Sequence, residues 1–484
     1  MKQKLFIVAA LCLLATGMVQ AQYNATNNLF YNSFRMPQSN QLNPAFFPTR
    51  NSFYLQLPSA GFKFGSPLAL QDVVHVQGDT ATVIDINNML DALTDNNRLI
   101  TDIDANIFGF GFKANNLFIT LNTQLKANVT FGLPVSIINT LRNGNVDENG
   151  NAVNEVSLVG GDLLSTQAYL ELSLGGGYHF APIGLTVGAH AKLLYGIANV
   201  NLDNTNTVIR TTDNFESIDI DAYYQIQAAT AVPLDSGSTI NVSELLDVFH
   251  ANTGLSFDLG ARYDMGPFTF SFSILDLSAG IHWTRNVRTY EPTESPSHLS
   301  FSGVEIANVF NGGSVNTDSI MALFNEFIDG LKPKNSTEEE GFWYGVPTRI
   351  NLGAAYNFAK IMRVGLLFHG QFDRGLLSKT NTSAFGQKLD IPNTFRFNTT
   401  VSYGINLFNW MELMFANSIV YDGAKMNFLS PGVGLVFTPA TALQVYVMAD
   451  YVSSMRVVEA KAFNVRLGLN LLFGSGGSSW VTLN

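Results

Sequence analysis

The sequence predicts an all-β protein, a transmembrane antiparallel β-barrel of about 14 strands. Three observations lead there: a secretory signal opens the chain, charge is scarce in an apolar sequence, and long stretches alternate strictly between apolar and polar residues.

The signal comes first. Lys2 and Lys4 make a short positive start, Leu5 to Leu14 is an apolar run, and Val19-Gln20-Ala21 supplies the cleavage positions. This three-part pattern reads as a secretory signal peptide over residues 1–21, cut after Ala21. The run is too short for a spanning helix, which needs roughly 20 apolar residues. A lipid anchor on Cys12 would want a small residue before it, and Leu11 is not small. Cys12 is the one cysteine, so the mature chain is expected to have no disulfide and no thiolate metal site.

Apolar residues reach 46% while charged residues are 13%, against roughly 25% charged in soluble proteins. No apolar stretch after Leu14 approaches helical spanning length. In lipid every backbone group must be paired, so only helices and closed barrels span. With helices set aside, the barrel is left, in contact with outer-membrane lipid. The net charge of −11 argues against nucleic acid, which needs a basic footprint.

The alternation has the period of a strand with two unlike faces. Leu185, Val187, Ala189, Ala191, Leu193 and Tyr195 oppose Thr186, Gly188, His190, Lys192 and Gly196. The same reading recurs over Leu117–Phe131, Leu255–Tyr263, Phe268–Ile274, Phe395–Asn406 and Phe463–Phe473. A tilted membrane strand takes about 9–11 residues, longer than the usual five or six. Soluble β-sandwich strands also alternate, but strand length and shortage of charge weigh against that fold. Short turns are expected at Lys113–Asn116, Ala181–Gly184, Asp264–Pro267, Asn357–Lys360, Leu407–Trp410 and Thr438–Ala442. Long links are expected at Gly132–Thr166, Leu277–Gly345 and Arg374–Asn393. Short periplasmic turns facing long external loops suit an outer-membrane barrel. The strand count is open by two, because Asp203–Gln227 and Ile281–Tyr290 fit neither pattern cleanly.

The barrel is therefore placed at residues 105–474, before a tail at 475–484. Residues 22–104 read as a hatch-like or plug-like segment, which includes the first strand if Phe53–Leu57 is one. It carries Asn43-Pro44-Ala45 and a helical pattern after Asp85, with Ile86, Met89, Leu90 and Leu93 on one face. Phe46, Phe47, Phe53, Phe62 and Phe64 need burial, and a free domain of this size buries too little. A second helical pattern, Ile320 to Leu331, falls in the longest link and is expected over or in the external opening.

No cofactor, metal site or catalytic constellation is expected. No two of the seven histidines stand at metal-ligand spacing on one helix, and neither His179 nor His369 has an assignable nucleophile. Asp147–Asn151 departs from a calcium loop in its glycine and closing glutamate. Glu338-Glu339-Glu340 reads as a solvated run. Parity instead puts His190, Lys192, Arg262, Arg349, Arg363, His369, Arg396 and Arg466 on the polar face, with Glu171, Asp258 and Asp450. Such charges either close a lumen with ion pairs or line a solute path. Gly175-Gly176-Gly177 interrupts a strand, where glycine marks a bulge or kink. A wall kink there could open toward lipid, or the glycines could only ease the turn at Ala181-Pro182.

Asn43-Pro44-Ala45, Asn51–Pro58, Ile84–Leu99, Asn106–Phe112 and Val187–Ala198 together give the chain its family likeness. It resembles an uncharacterised family of outer-membrane proteins from Bacteroidetes, a domain of unknown function, over nearly its full length. More distantly it resembles fatty-acid-transporter-like and gliding- or secretion-associated barrels, which share an Asn-Pro-Ala near an N-terminal hatch. The resemblance implies location in the Gram-negative outer membrane and a barrel fold. Two functions are expected as alternatives. One is a transporter or channel for small hydrophobic molecules. The other is a closed barrel that docks a secretion or surface-protein partner through its large loops.

Overall fold

A computed structural model describes residues 28–48, 51–77, 81–84, 91–93, 98–132, 155–159, 164–211, 217–231, 252–302, 329–332, 337–358, 361–377, 395–421, 426–438, 442–450 and 459–474, apart from single positions inside these spans. The signal peptide, the C-terminal tail, Met89, Leu90, most of the Ile320–Leu331 pattern and Asp147–Asn151 lie outside the described residues.

Fourteen antiparallel strands close on themselves. We number them β1 (two pieces, Phe53–Gln56 and Ser59–Gly65), β2 (Arg98–Ala114), β3 (Leu117–Gly132), β4 (Leu164–Phe180), β5 (Leu185–Thr211), β6 (Thr253–Met265) and β7 (Phe268–Trp283). The rest are β8 (Thr348–Phe358), β9 (Met362–Phe372), β10 (Phe395–Phe408), β11 (Met411–Tyr421), β12 (Met426–Phe437), β13 (Leu443–Asp450) and β14 (Ala462–Phe473). Each pairs with the next, and β1 closes the ring. Phe53 stands opposite Phe112 on one side and Phe473 on the other, and Phe62 opposite Ile103 and Val465. Closure pairs each of the fourteen strands on both sides, so among the described residues the wall itself has no edge strand. The wall therefore begins at Phe53, inside the segment read as 22–104, and the 104/105 boundary falls within β2. Pro58 splits this first strand into pieces of 4 and 7 residues.

The alternation maps onto the two faces of the wall. Phe257 is 46% exposed on the outside, while its neighbour Asp258 is wholly buried in the lumen. Leu255, Leu259, Phe270, Phe272, Val447, Leu467 and Leu469 are likewise exposed apolar residues. This is the outward apolar band of an outer-membrane barrel.

Most of the described part of the ambiguous stretches is strand too. β5 runs for 27 residues. Its first half pairs with β6 (Tyr195 opposite Thr253) and its second half with Ser217–Thr230 (Ala198 opposite Thr230). Glu155–Val159 and Ser297–Ser302 join that upper sheet. The long link expected from Leu277 starts later, because β7 continues to Trp283. Register shifts opposite Gly254–Leu259 and positive φ at Asp276 (58°) and Gly280 (103°) break the parity there, which hides the end of the strand from a period-2 reading.

Candidate functional site

The lumen is filled from within by residues 28–47. A short helix, Asn28–Tyr31, and a 3-10 turn, Pro37–Gln41, carry the chain across its short-turn half. Leu29, Phe30, Tyr31, Met36 and Phe46 form one buried cluster with Leu367, Met414, Val436, Tyr446 and Met448 of the wall. Phe47 packs against Tyr54 and Phe118, with ring centroids 5.3 Å from each. Phe53, Phe62 and Phe64 belong to the wall instead.

Asn43, Pro44 and Ala45 are at the centre of this plug, all buried. Asn43 Oδ1 accepts from the Ala45 backbone amide (2.9 Å), and Asn43 Nδ2 donates to the Phe272 backbone carbonyl (3.1 Å) and to Tyr31 Oη (3.3 Å). The turn lies on a glycine seat. Gly188 is paired with Gly260 on one side and Gly177 on the other. A Cβ on Gly188 would overlap the Pro44 carbonyl, and one on Gly260 would overlap Asn43. Gln38 and Asn470 exchange reciprocal amide bonds of 2.7 and 3.0 Å. Ser273 and Asn351 both donate to the Leu42 carbonyl, at 2.7 and 3.0 Å. His190 bridges Asp258 (Nδ1 to Oδ2, 2.9 Å) and the plug's Asn40 (Nε2 to Oδ1, 3.0 Å).

No register shift falls at Gly175-Gly176-Gly177. β4 keeps its register through all three, opposite Thr120, Ile119 and Phe118 on β3 and His190, Ala189 and Gly188 on β5. The glycines leave room for rings. A Cβ on Gly175 would meet His190, and one on Gly177 would meet Phe118. The shift in β4 comes earlier, at Ala168/Tyr169.

Above the plug lies an ionic network. Lys192 Nζ sits 2.7 Å from Asp276, 2.8 Å from Asp258 and 3.3 Å from Glu171. Lys126 takes the other oxygen of Glu171 at 2.6 Å, and Arg349 pairs with Asp276. Arg466 meets Asp104 at 2.7 Å, and Arg396 and Arg98 both pair with Asp373, the latter at 3.7 Å. Low dielectric strengthens such pairs, and each carboxylate offsets the cost of burying a cation. Arg262 bonds Asp264 at 3.1 Å, Arg363 bonds Asn357 at 2.8 Å, and His369 bonds Asn351 at 2.6 Å. Asp450 takes a backbone bond from Leu29. Of the eleven residues assigned to the polar face by parity, Arg349 and Arg396 line a cavity.

That cavity, of about 180 Å³, opens between the network and the long-loop end. Lys63, paired with Asp102 at 2.6 Å, and Arg374, over the Tyr344 ring at 5.1 Å, complete its charged lining. Beside it, Tyr169, Leu194, Ile281, Trp283, Phe342, Tyr344 and Val346 form an apolar cap. Sequence reasoning missed Lys63, Asp102 and Asp104 because they fell in the segment assigned to the hatch. It missed Asp276 because the bulge breaks parity. Lys126 stood in plain alternation and was recoverable.

Among the described residues no group of His, Cys, Asp and Glu could hold a metal ion. His179 Nδ1 lies 2.9 Å from Thr186 Oγ1, and neither lines the cavity.

A model described as a family of unknown function (DUF5723) matches residues 44–450. No curated protein matches the chain. Among solved structures, the Ralstonia pickettii toluene transporter TbuX is similar at 9% identity and a TM-score of 0.44, covering 91% of this chain and 94% of that one. The P. putida toluene transporter TodX stands at 10% and 0.41, covering 94% of each. The monoaromatic hydrocarbon channel CymD stands at 9% and 0.43, covering 90% and 91%. Likeness at this level carries no argument about cargo.

Proposed function

Since the chain belongs to the DUF5723 family, whose function is unknown, we propose from its geometry that it is an outer-membrane barrel in which residues 28–47 form a hatch over a passage for small molecules. One observation carries this. The plug is tied to the wall by side-chain hydrogen bonds, such as Asn43 to Phe272 and Gln38 to Asn470, and by apolar contacts, and its described residues add no strand to the ladder. A segment held so can leave the lumen without breaking the wall, whereas a ladder-paired one cannot. Residues 1–21 are the proposed export signal, removed on the way to the outer membrane.

Single-channel conductance in planar bilayers tests the hatch. Deleting residues 28–47 is expected to raise the conductance of the chain clearly. A small, unchanged conductance refutes the hatch. The hydrophobic cargo expected from the sequence needs an apolar path, and the charged lining above the plug speaks for a polar solute instead. No enzymatic step is proposed. Purified protein that hydrolysed phospholipid, and lost that activity on His179→Ala, would overturn this.

The second reading, a partner-docking barrel, draws on the upper sheet. β5 extends far past the roughly 9–11 residues that crossing requires. With Glu155–Val159, Ser217–Thr230 and Ser297–Ser302 it carries a sheet beyond the wall. A secretion or surface-protein partner that co-purifies, with no conductance rise on plug deletion, would favour that reading.

A further inference from the structure

We propose that a hydrated seam between the plug and strands β2–β4 is a second, narrower passage, for water and small neutral polar solutes, closed at its foot by the Phe47 ring. The inward side chains of these strands stand in rows set by the ladder. Phe118 is in the row nearest the short turns, Thr120 in the next, Asn122 and Ser173 in the third, Asn106 and Gln124 in the fourth. A void of about 30 Å³ lies there, between Gln41 and Leu42 of the plug and Asn122, Gln124 and Ser173 of the wall. It has room for one or two waters. Its lining shares Asp104, Lys126 and Arg349 with the larger cavity above the plug, so the two meet at the ionic network.

Unmatched polar atoms mark the seam as wet. Asn106 Nδ2, Thr120 Oγ1, Asn122 Oδ1 and Ser173 Oγ make no hydrogen bond among the described residues, and these side chains are at most 3% exposed. Such atoms are costly to bury alone, and water in a polar void is their usual partner. The plug itself joins the seam through a neutral amide, Gln41 Nε2, which donates to Gln56 Oε1 at 3.1 Å and Asn106 Oδ1 at 3.3 Å. Its other side is dry, where Leu29, Phe30 and Met36 meet Leu367, Met414 and Val436. At the foot, Phe47 packs on Tyr54 and Phe118, and Leu472 completes an apolar seal. Lys113 Nζ stands 5.9 Å from the centre of the Phe47 ring, in the same row as Phe118. Moving one ring therefore joins the seam to the short-turn end, with the rest of the plug in its seat. The chemistry selects for neutral solutes. Beneath the network, Thr120, Asn122 and Ser173 offer hydroxyls and an amide. An ion entering there sheds its water for neutral groups, whereas water, urea or glycerol exchanges hydrogen bonds.

This rests on the hatch reading for the seated plug, but it is tested with the plug in place. The full mature chain is reconstituted in lipid vesicles, and swelling in iso-osmotic glycerol and in potassium chloride is followed by light scattering. Phe47→Ala is expected to speed glycerol entry several-fold over wild type and to leave the salt excluded. Phe46→Ala removes the same ring from the dry side, where Phe46 packs on Tyr31 at 5.1 Å, and is expected to keep the wild-type rate. Adding Asn122→Leu to Phe47→Ala makes the seam apolar and is expected to cancel the gain. No gain in Phe47→Ala, an equal gain in Phe46→Ala, equal entry of salt, or a gain that survives Asn122→Leu overturns the inference. If Phe47→Ala does not fold, Phe47→Leu is read in the same way. A crystal structure of the wild-type chain decides independently: ordered water against Asn122 and Ser173 is expected, and a dry void refutes the seam. A conductance rise on plug deletion without the Phe47 effect sinks this inference alone. The Phe47 effect without that rise sinks the hatch alone.

Discussion

Leu467→Arg gives the sharpest measure of whether the outward face lies in lipid. Leu467 is 54% exposed on the outside of β14, and its cross-strand partners Ala60 and Val447 are apolar as well. The strand has 12 residues, Ala462–Phe473. At about 3.3 Å per residue and a tilt near 40° it rises roughly 28 Å, close to the apolar band of about 25 Å. Leu467 sits five residues from the start and six from the end, so its side chain falls near the bilayer midplane. An arginine there is expected to cost about 2–4 kcal/mol. Urea unfolding in lipid vesicles, followed by tryptophan fluorescence, reads the cost. Leu467→Ala in parallel removes the share owed to lost apolar contact. If Leu467→Arg unfolds no more easily than Leu467→Ala, the face is not in hydrocarbon and the assignment of faces is wrong. Gly468→Arg, at first sight the natural lumen-side control, is unsuitable. A Cβ there stands 2.5 Å from Tyr446 Oη, so the change would fail by overpacking.

Four further outcomes are expected. Lys192→Met leaves Glu171, Asp258 and Asp276 facing one another in a buried site and should cost about 3–5 kcal/mol in the same unfolding assay. Gly188→Leu should unseat the Pro44 turn and raise the fraction of time the channel is open. Gly176→Ala, whose nearest contact is the Phe118 carbonyl at 3.3 Å, should leave gating and stability within about 1 kcal/mol of wild type. Asn43→Ala removes bonds to Phe272, Tyr31 and the Ala45 amide, at about 1 kcal/mol each. It should appear as more frequent opening in bilayer recordings with an unchanged unfolding midpoint for the wall; a closed, wild-type trace would count against the plug as gate.

What the sequence determined by itself is whatever a local period or composition can carry. Phe257 against Asp258, or Leu193 against Lys192, declares two faces within two residues, because side chains alternate across any strand. Scarce charge with abundant apolar residues then leaves lipid as the one solvent for the outer face, and closure follows from unpaired backbone being untenable there. The need to bury Phe46 and Phe47 was legible for the same reason. Tertiary structure alone decided the rest. Only the register of neighbouring strands brings Gly188 and Gly260 side by side as a seat for Asn43-Pro44-Ala45, and only strand pairing sets Gly175 beside His190 and Gly177 beside Phe118, whose rings they make room for. Lys192 meets Glu171, Asp258 and Asp276 across three strands, and Arg98 meets Arg396 and Asp373 across the barrel's interior. Which charge faces which depends on the shear of the closed barrel, and a bulge such as that opposite Gly254–Leu259 inverts local parity. A one-dimensional period contains neither quantity.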